Sequence, residues 1–281
     1  MRRVTPPPPG PAVRPRLLTW LLAAVAVAAV LFVERDPELE RGALAADFAA
    51  GRPEVALARL ADAPPDALPA PLRQVRWWPA AGRASRLLRL ERRTDGELLE
   101  SPTQPTIVAP LGNMVEGPAE VRLRDPARAG LRLELRNVDL DLAVAEAPVP
   151  PGARAVPLHV AWIAGTRYAM VVTDASDGAM LALASFRLLD DAASRAAAEA
   201  MAAAHDLAVP SHEGSSLLAA LAALDAGLAL EAIGRLAPLR SAPGYEAIAR
   251  ELHALALEGL GLDWSARRLV AAAAPAAEER R

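Results

Sequence analysis

Residues 131–144 read LRLELRNVDLDLAV. Leu131, Leu133 and Leu135 alternate with Arg132, Glu134 and Arg136; Leu140, Leu142 and Val144 alternate with Asp139, Asp141 and Ala143. Successive side chains on a strand point to opposite faces, so a period of two predicts half-buried strands with one apolar and one wet side. Outward from this stretch, Thr106–Ala109, Ala119–Arg124, Pro157–Ile163, Tyr168–Thr173 and Met180–Leu188 are further short apolar runs. Turn residues separate them: Gly112-Asn113, Asp125-Pro126, Pro150-Pro151-Gly152, Ala164-Gly165 and Ser176-Asp177-Gly178. About seven short strands at this spacing predict an antiparallel β-sandwich over residues 105–189. Its expected core holds Leu133, Leu142, Val160, Trp162, Tyr168, Val172 and Phe186.

On either side the period changes to helical. After the strands, Asp190–Leu207, Ser215–Asp225, Leu228–Leu236, Gly244–Glu258 and Asp263–Ala274 read as helices within residues 190–281. Before them, residues 36–62 read as a helical hairpin: Leu39, Leu44 and Phe48 have near-helical spacing, Gly51-Arg52-Pro53 breaks the helix, and Pro53 suits the first turn of the next. Residues 63–104 are expected to be a linker. Pro64, Pro65, Pro69 and Pro71 exclude an element interior, and a short helix is expected from Arg83 to Arg93.

The N-terminus points to a membrane. Residues 1–16 carry Arg2, Arg3, Arg14 and Arg16 with no acid, and Pro6 to Pro9 and Pro11 make this arm stiff and extended. Residues 17–33, LLTWLLAAVAVAAVLFV, carry no charge, and Glu34, Asp36, Glu38 and Glu40 follow. The uncharged run is at the short end of the roughly 17–25 residues that span a bilayer. Basic residues before it predict a cytoplasmic arm, a transmembrane helix over 17–33 and everything later outside the cytoplasm. Two other readings stand beside this one: a signal peptide cleaved near Gly42-Ala43-Leu44-Ala45, and a buried soluble helix.

Composition excludes several classes of function. The chain has no cysteine, which removes disulfides, Cys–zinc sites and thiol catalysis. Net charge is −3, and its 31 basic residues are all arginine, a sign of genomic base bias. A nucleic-acid partner is not expected, both on charge and on topology. His205-Asp206 and His212-Glu213 match no common zinc spacing, and Asp139 and Asp141 read as solvent-facing acids on a strand. Ser211, Ser215 and Ser216 lie in no G-x-S-x-G, Gly259-Leu260-Gly261 lacks the third glycine of a dinucleotide loop, and His159 and His253 stand singly. No catalytic set, cofactor or metal is expected, because an enzyme needs a nucleophile or base with an oriented partner.

Two resemblances follow from particular residues. Ala109-Pro110-Leu111-Gly112, the strand Val121–Leu123, Gly165-Thr166-Arg167-Tyr168-Ala169-Met170-Val171-Val172 and the closing Phe186-Arg187-Leu188-Leu189 resemble an immunoglobulin or fibronectin type III-like sandwich, with Tyr168 placed as a corner tyrosine. Val121 and Leu123 stand where related domains tend to carry Trp. At an offset of 34, Leu218, Ala220, Leu221, Ala222, Gly227, Leu228 and Ala232 recur as Leu252, Ala254, Leu255, Ala256, Gly261, Leu262 and Ala266. That period resembles the tetratricopeptide repeat. Gly51 to Leu60 resembles Gly227 to Leu236 and reads as one more such hairpin. Two repeats fall short of a free-standing array, so the helices are expected to cap onto the sandwich or a partner.

Together these predict an α+β multidomain chain: a cytoplasmic arm, a transmembrane helix, an antiparallel sandwich and C-terminal tetratricopeptide-like hairpins. The expected role is non-catalytic, as a single-pass bacterial inner-membrane protein binding an envelope protein outside the cytoplasm. An envelope hydrolase or a carbohydrate-binding accessory is the alternative. Candidate interaction residues are Trp77, Trp78, Arg83 and Arg86 in the basic stretch and Trp264, Arg267 and Arg268 at the last helix, since Trp and Arg suit interfaces. For each set the competing reading is plain packing or a solvated face.

Overall fold

The computed structural model describes residues 37–73, 75, 77, 105–124, 129–207, 211–262, 265, 266 and 269. Among the described residues no helix is long and apolar enough to cross a membrane; the predicted span 17–33 lies outside them. The described elements form an α+β fold with two sheets and six α-helices. In chain order they are α1 (Pro37–Ala49), α2 (Pro53–Asp62), β1 (Thr106–Ala109), β2 (Gly112–Met114), β3 (Glu120–Arg124), β4 (Leu131–Asn137), β5 (Leu142–Val149), β6 (Ala155–Pro157), β7 (Arg167–Asp174), β8 (Met180–Leu188), α3 (Asp191–Leu207), α4 (His212–Asp225), α5 (Ala229–Leu236) and α6 (Glu246–Gly259).

The alternation read at 131–137 becomes β4, whose leucines are almost fully buried and whose charged residues point away. One sheet has the order β1-β3-β6 and the other β2-β8-β7-β4-β5. Both contribute to one hydrophobic cluster: Ile107, Val121, Leu123 and Val156 from the first, with Leu131, Leu133, Tyr168, Met170, Val172 and Phe186 from the second. Tyr168 and Phe186 are stacked with centroids 5.4 Å apart, and Trp162 meets both edge-on at 5.0 and 5.7 Å. The Tyr168 hydroxyl accepts the Ile163 N–H at 2.9 Å and so fixes the chain just before β7. Tyr168→Phe is expected to cost about 1 kcal/mol, the usual net worth of one such bond. Urea unfolding checks this, with an unchanged slope marking a local effect.

Four expectations about the strands need correction. The sheets are not wholly antiparallel: β2 runs parallel to β8, Gly112 opposite Phe186 and Leu188 opposite Met114. Gly112-Asn113 read as a turn, but left-handed Gly112 (φ 72°) redirects the chain from one sheet to the edge of the other. The run Pro157–Ile163 is not a strand; only Ala155–Pro157 pairs, and Val160 and Trp162 are half-buried in the irregular loop after it. Leu142 is exposed, not core. It pairs with Asn137 on β5, the outermost of five strands facing only three, and β5 becomes buried only at Val149.

The helices build a second cluster. From Leu217 to Leu224, α4 is apolar and buried all round, with Leu217, Leu218, Leu221 and Leu224 at its centre. Ser211 caps its start by accepting the Gly214 N–H, and Ser215 donates to the His205 carbonyl of α3. The same cluster takes in Leu44 and Phe48 of α1, Leu57 and Leu60 of α2, and then Leu68, Leu72, Val75 and Trp77. Within the proline-rich stretch read as linker, Leu68, Leu72, Val75 and Trp77 thus pack against the helices, with two short 3-10 turns at Pro65–Ala67 and Ala70–Leu72.

Three helix ends share one geometry. Gly51, Gly227 and Gly261 have φ of 66°, 74° and 76°. Each glycine N–H bonds the carbonyl three residues back, on Phe48, Leu224 and Glu258, at 2.9 to 3.0 Å. The next N–H, on Arg52, Leu228 and Leu262, bonds five residues back, to Asp47, Ala223 and Leu257. This pair of bonds satisfies carbonyls that a helix end otherwise leaves unpaired, and the left-handed residue favours glycine. Ala56, Ala232 and Ala266 follow at equal distance, each fully buried and each bonded to the residue after its glycine. The repeat detected at an offset of 34 is therefore a repeat of backbone geometry, and Gly51 supplies a third copy.

Candidate interaction surfaces

The surface is best built from the junctions that hold it rigid. Phe48 of α1 lies over Gly214 of α4, where a Cβ would come within 2.7 Å of its ring. The Tyr245 hydroxyl donates to the Phe48 carbonyl at 2.7 Å and lies 3.3 Å from Ser211 Oγ. Burial pushes that phenol's pKa up, which keeps it a neutral donor. Asp47, buried on α1, accepts from Arg52 at 2.6 Å and Arg59 at 2.7 Å, which ties α1 to α2. On the sandwich side, Asn113 donates its side-chain amide to Ala226 O and its backbone N–H to Gly227 O, both at 3.3 Å. Leu262 is buried in the sheet cluster, with Leu230, Leu257 and Leu260 packed against it. These contacts set the helices against one flank of the two-sheet unit.

The sequence-derived candidates fall in different places. Trp77 is buried in the helical cluster, and among the described residues its indole N–H has no hydrogen-bond partner. Trp78, Arg83, Arg86, Trp264, Arg267 and Arg268 lie outside the described residues. Among the described residues no three potential metal ligands come together. His205 pairs with its neighbour Asp206 at 3.7 Å. Asp139 accepts the Arg167 backbone N–H, and Asp141 pairs with Arg136, so both acids serve the β4–β5 hairpin.

His253 on α6 is nearly buried, and its Nδ1 has no hydrogen-bond partner among the described residues. Burial, then the nearby Arg240 charge, hold its pKa down to about 4. The folded chain therefore keeps His253 neutral where the unfolded chain, at an ordinary value near 6.5, has taken up a proton. Its contribution is complete above pH ~6.5 and is lost as pH falls towards ~4, by about 2–3 kcal/mol. Melting curves at both ends of that window check this, and His253→Leu is expected to remove this part of the slope.

The features that sequence reading missed lie at one end of the sandwich. Three loops meet there: 115–119, the β4–β5 hairpin and 158–166. Gly117 is pressed against the Trp162 ring, Tyr168 holds Ile163, and Val138 and Asp139 bond the backbone of Arg167. This knitted end presents Val115, Leu140, Leu142 and Ile163 with 43 to 63% of their surface exposed. No protein-family model matches the chain, and no match is found among curated proteins. The site's meaning therefore rests on its own chemistry. A single exposed leucine is ordinary, whereas several on loops held together form a ready contact surface.

Proposed function

We propose that the chain is a non-catalytic, membrane-anchored envelope protein whose sandwich and helical hairpins bind another protein outside the cytoplasm. The uncharged run 17–33 behind four arginines supports the anchor and its direction. The strand order supports an immunoglobulin-like plan, with β1, β3 and β6 in the places of strands A, B and E and β8, β7, β4 and β5 in those of G, F, C and C′. Tyr168, at the start of β7 and bonded back to Ile163, supports it further, since such domains carry a tyrosine corner at strand F. The three equivalent glycine turns support a tetratricopeptide-like reading of the hairpins. The single observation that carries the function is the knitted loop end with its four exposed apolar side chains.

Site-specific photocrosslinking in cells tests it. A photoreactive residue at Leu142 or Ile163 is expected to join the chain to a second protein, while one at Arg154, on the β5–β6 connection, is not. Absence of any adduct from Leu142 and Ile163 overturns the binding role. For the anchor, a C-terminal alkaline phosphatase fusion is expected to be active and a green fluorescent fusion dark; the reverse pattern overturns the topology.

A further inference from the structure

The outer face of the five-stranded sheet is charge-matched except at one place. Arg132 pairs with Glu146 at 3.6 Å, and Arg136 pairs with Glu134 at 3.5 Å and Asp141 at 3.0 Å. Arg167 and Arg187, by contrast, stand directly opposite each other on β7 and β8. Tyr168 and Phe186 beside them point into the core, so both arginines point outward, and both are exposed. Among the described residues neither guanidinium has a carboxylate within 4.0 Å. The Asp139 carboxylate accepts the Arg167 backbone N–H at 2.9 Å. Like charges directly opposite on a sheet are destabilising, so this pair weakens the free fold. It also sits at the loop end that carries Ile163, four residues before Arg167; Leu142, in register with Asn137, Tyr168 and Phe186, belongs to the other face of the sheet.

We infer that Arg167 and Arg187 form a docking point for an acidic segment of a protein partner, one that also seats an apolar side chain on Ile163 at the same loop end. This rests on the binding role proposed above and adds the partner's chemistry. A carboxylate placed between the two guanidinium groups accepts hydrogen bonds from both and removes their repulsion, so the stabilisation appears only in the complex.

The test uses the full-length protein in neutral detergent micelles and a short fluorescein-labelled peptide of alternating Glu and Leu, followed by anisotropy. Binding is expected to weaken with added salt, to fall about tenfold or more in the double variant Arg167→Ala/Arg187→Ala, and to be absent for the Lys–Leu counterpart. The double variant is expected to melt no lower than the parent, and Arg187→Glu, which supplies a cross-strand ion pair, to melt higher. Equal peptide binding by parent and double variant, equal binding of the Lys–Leu peptide, or no binding of the Glu–Leu peptide overturns the inference. A melting point clearly lowered in both variants also overturns it, because the arginines would then be structural. If crosslinking at Ile163 persists in the double variant, the binding role stands and the acidic docking point falls; if no crosslink forms in the parent, the binding role itself fails.

Discussion

Gly244→Ala is expected to destabilise the protein by about 3 kcal/mol, combining backbone strain and overpacking of roughly 1–3 kcal/mol each. Gly244 has φ 81°, a conformation that side chains rarely adopt, and an added Cβ would overlap the Gly51 carbonyl oxygen. The backbone cannot yield, because Gly51 closes the α1–α2 turn while Tyr245, next in sequence, is bonded to the Phe48 carbonyl. The N-terminal hairpin and the C-terminal helices, almost two hundred residues apart in sequence, therefore meet at a contact of two glycines. Gly234 is the internal control: it lies on α5 with nothing within 4 Å of its added Cβ. Gly234→Ala is expected to stabilise by about 0.5–1 kcal/mol, the helix-propensity difference. Urea unfolding of both variants decides the matter; a loss under about 1 kcal/mol at Gly244 would show that the hairpin is not seated there.

Phe186→Ala is expected to cost roughly 3–5 kcal/mol, the range for emptying a buried aromatic site. Phe186 is fully buried, stacked on Tyr168 and met edge-on by Trp162. It also pairs with Gly112 of β2, so the cavity would open beside the strand that joins the sandwich to the helices. Collapse of β2 into that space is expected to loosen the Asn113–Gly227 contact, and hydrogen exchange at both residues should rise together. A loss below about 1 kcal/mol would show that the side chain is not core.

The contrast between β4 and β5 shows how far local pattern reaches. Both stretches alternate in sequence, but residues 138–141 form the hairpin turn and β5 begins only at Leu142. In β4, with strands on each side and a second sheet beneath, the leucines are buried as the pattern demands. In β5, the same pattern at the edge leaves Leu142 in solvent. Periodicity reports which residues share a face, but burial depends on whether something lies opposite that face. The glycine turns were readable for the opposite reason. A left-handed helix end is a property of a few consecutive residues, so Gly227 and Gly261 identified equivalent turns without any distant contact.

The surface chemistry divides along the same line. Trp77 looked like an interface residue because it sits among arginines; in the fold it is buried against leucines brought from residues 44–60 and 217–252. Arg167 and Arg187, twenty residues apart, drew no notice until strand register set them face to face. By itself the sequence determined the alternation of β4, the helix ends at Gly51, Gly227 and Gly261, the absence of cysteine chemistry and the uncharged run at 17–33. Each depends on neighbours within about one turn or one strand, where short-range sterics and side-chain periodicity suffice. Only the tertiary structure decided that β2 runs parallel to β8, that the first hairpin seats on the last helices, and that Arg167 and Arg187 stand opposite each other. Those depend on which distant segments share a core and in what register, and desolvation summed over both clusters selects that arrangement where no local preference can.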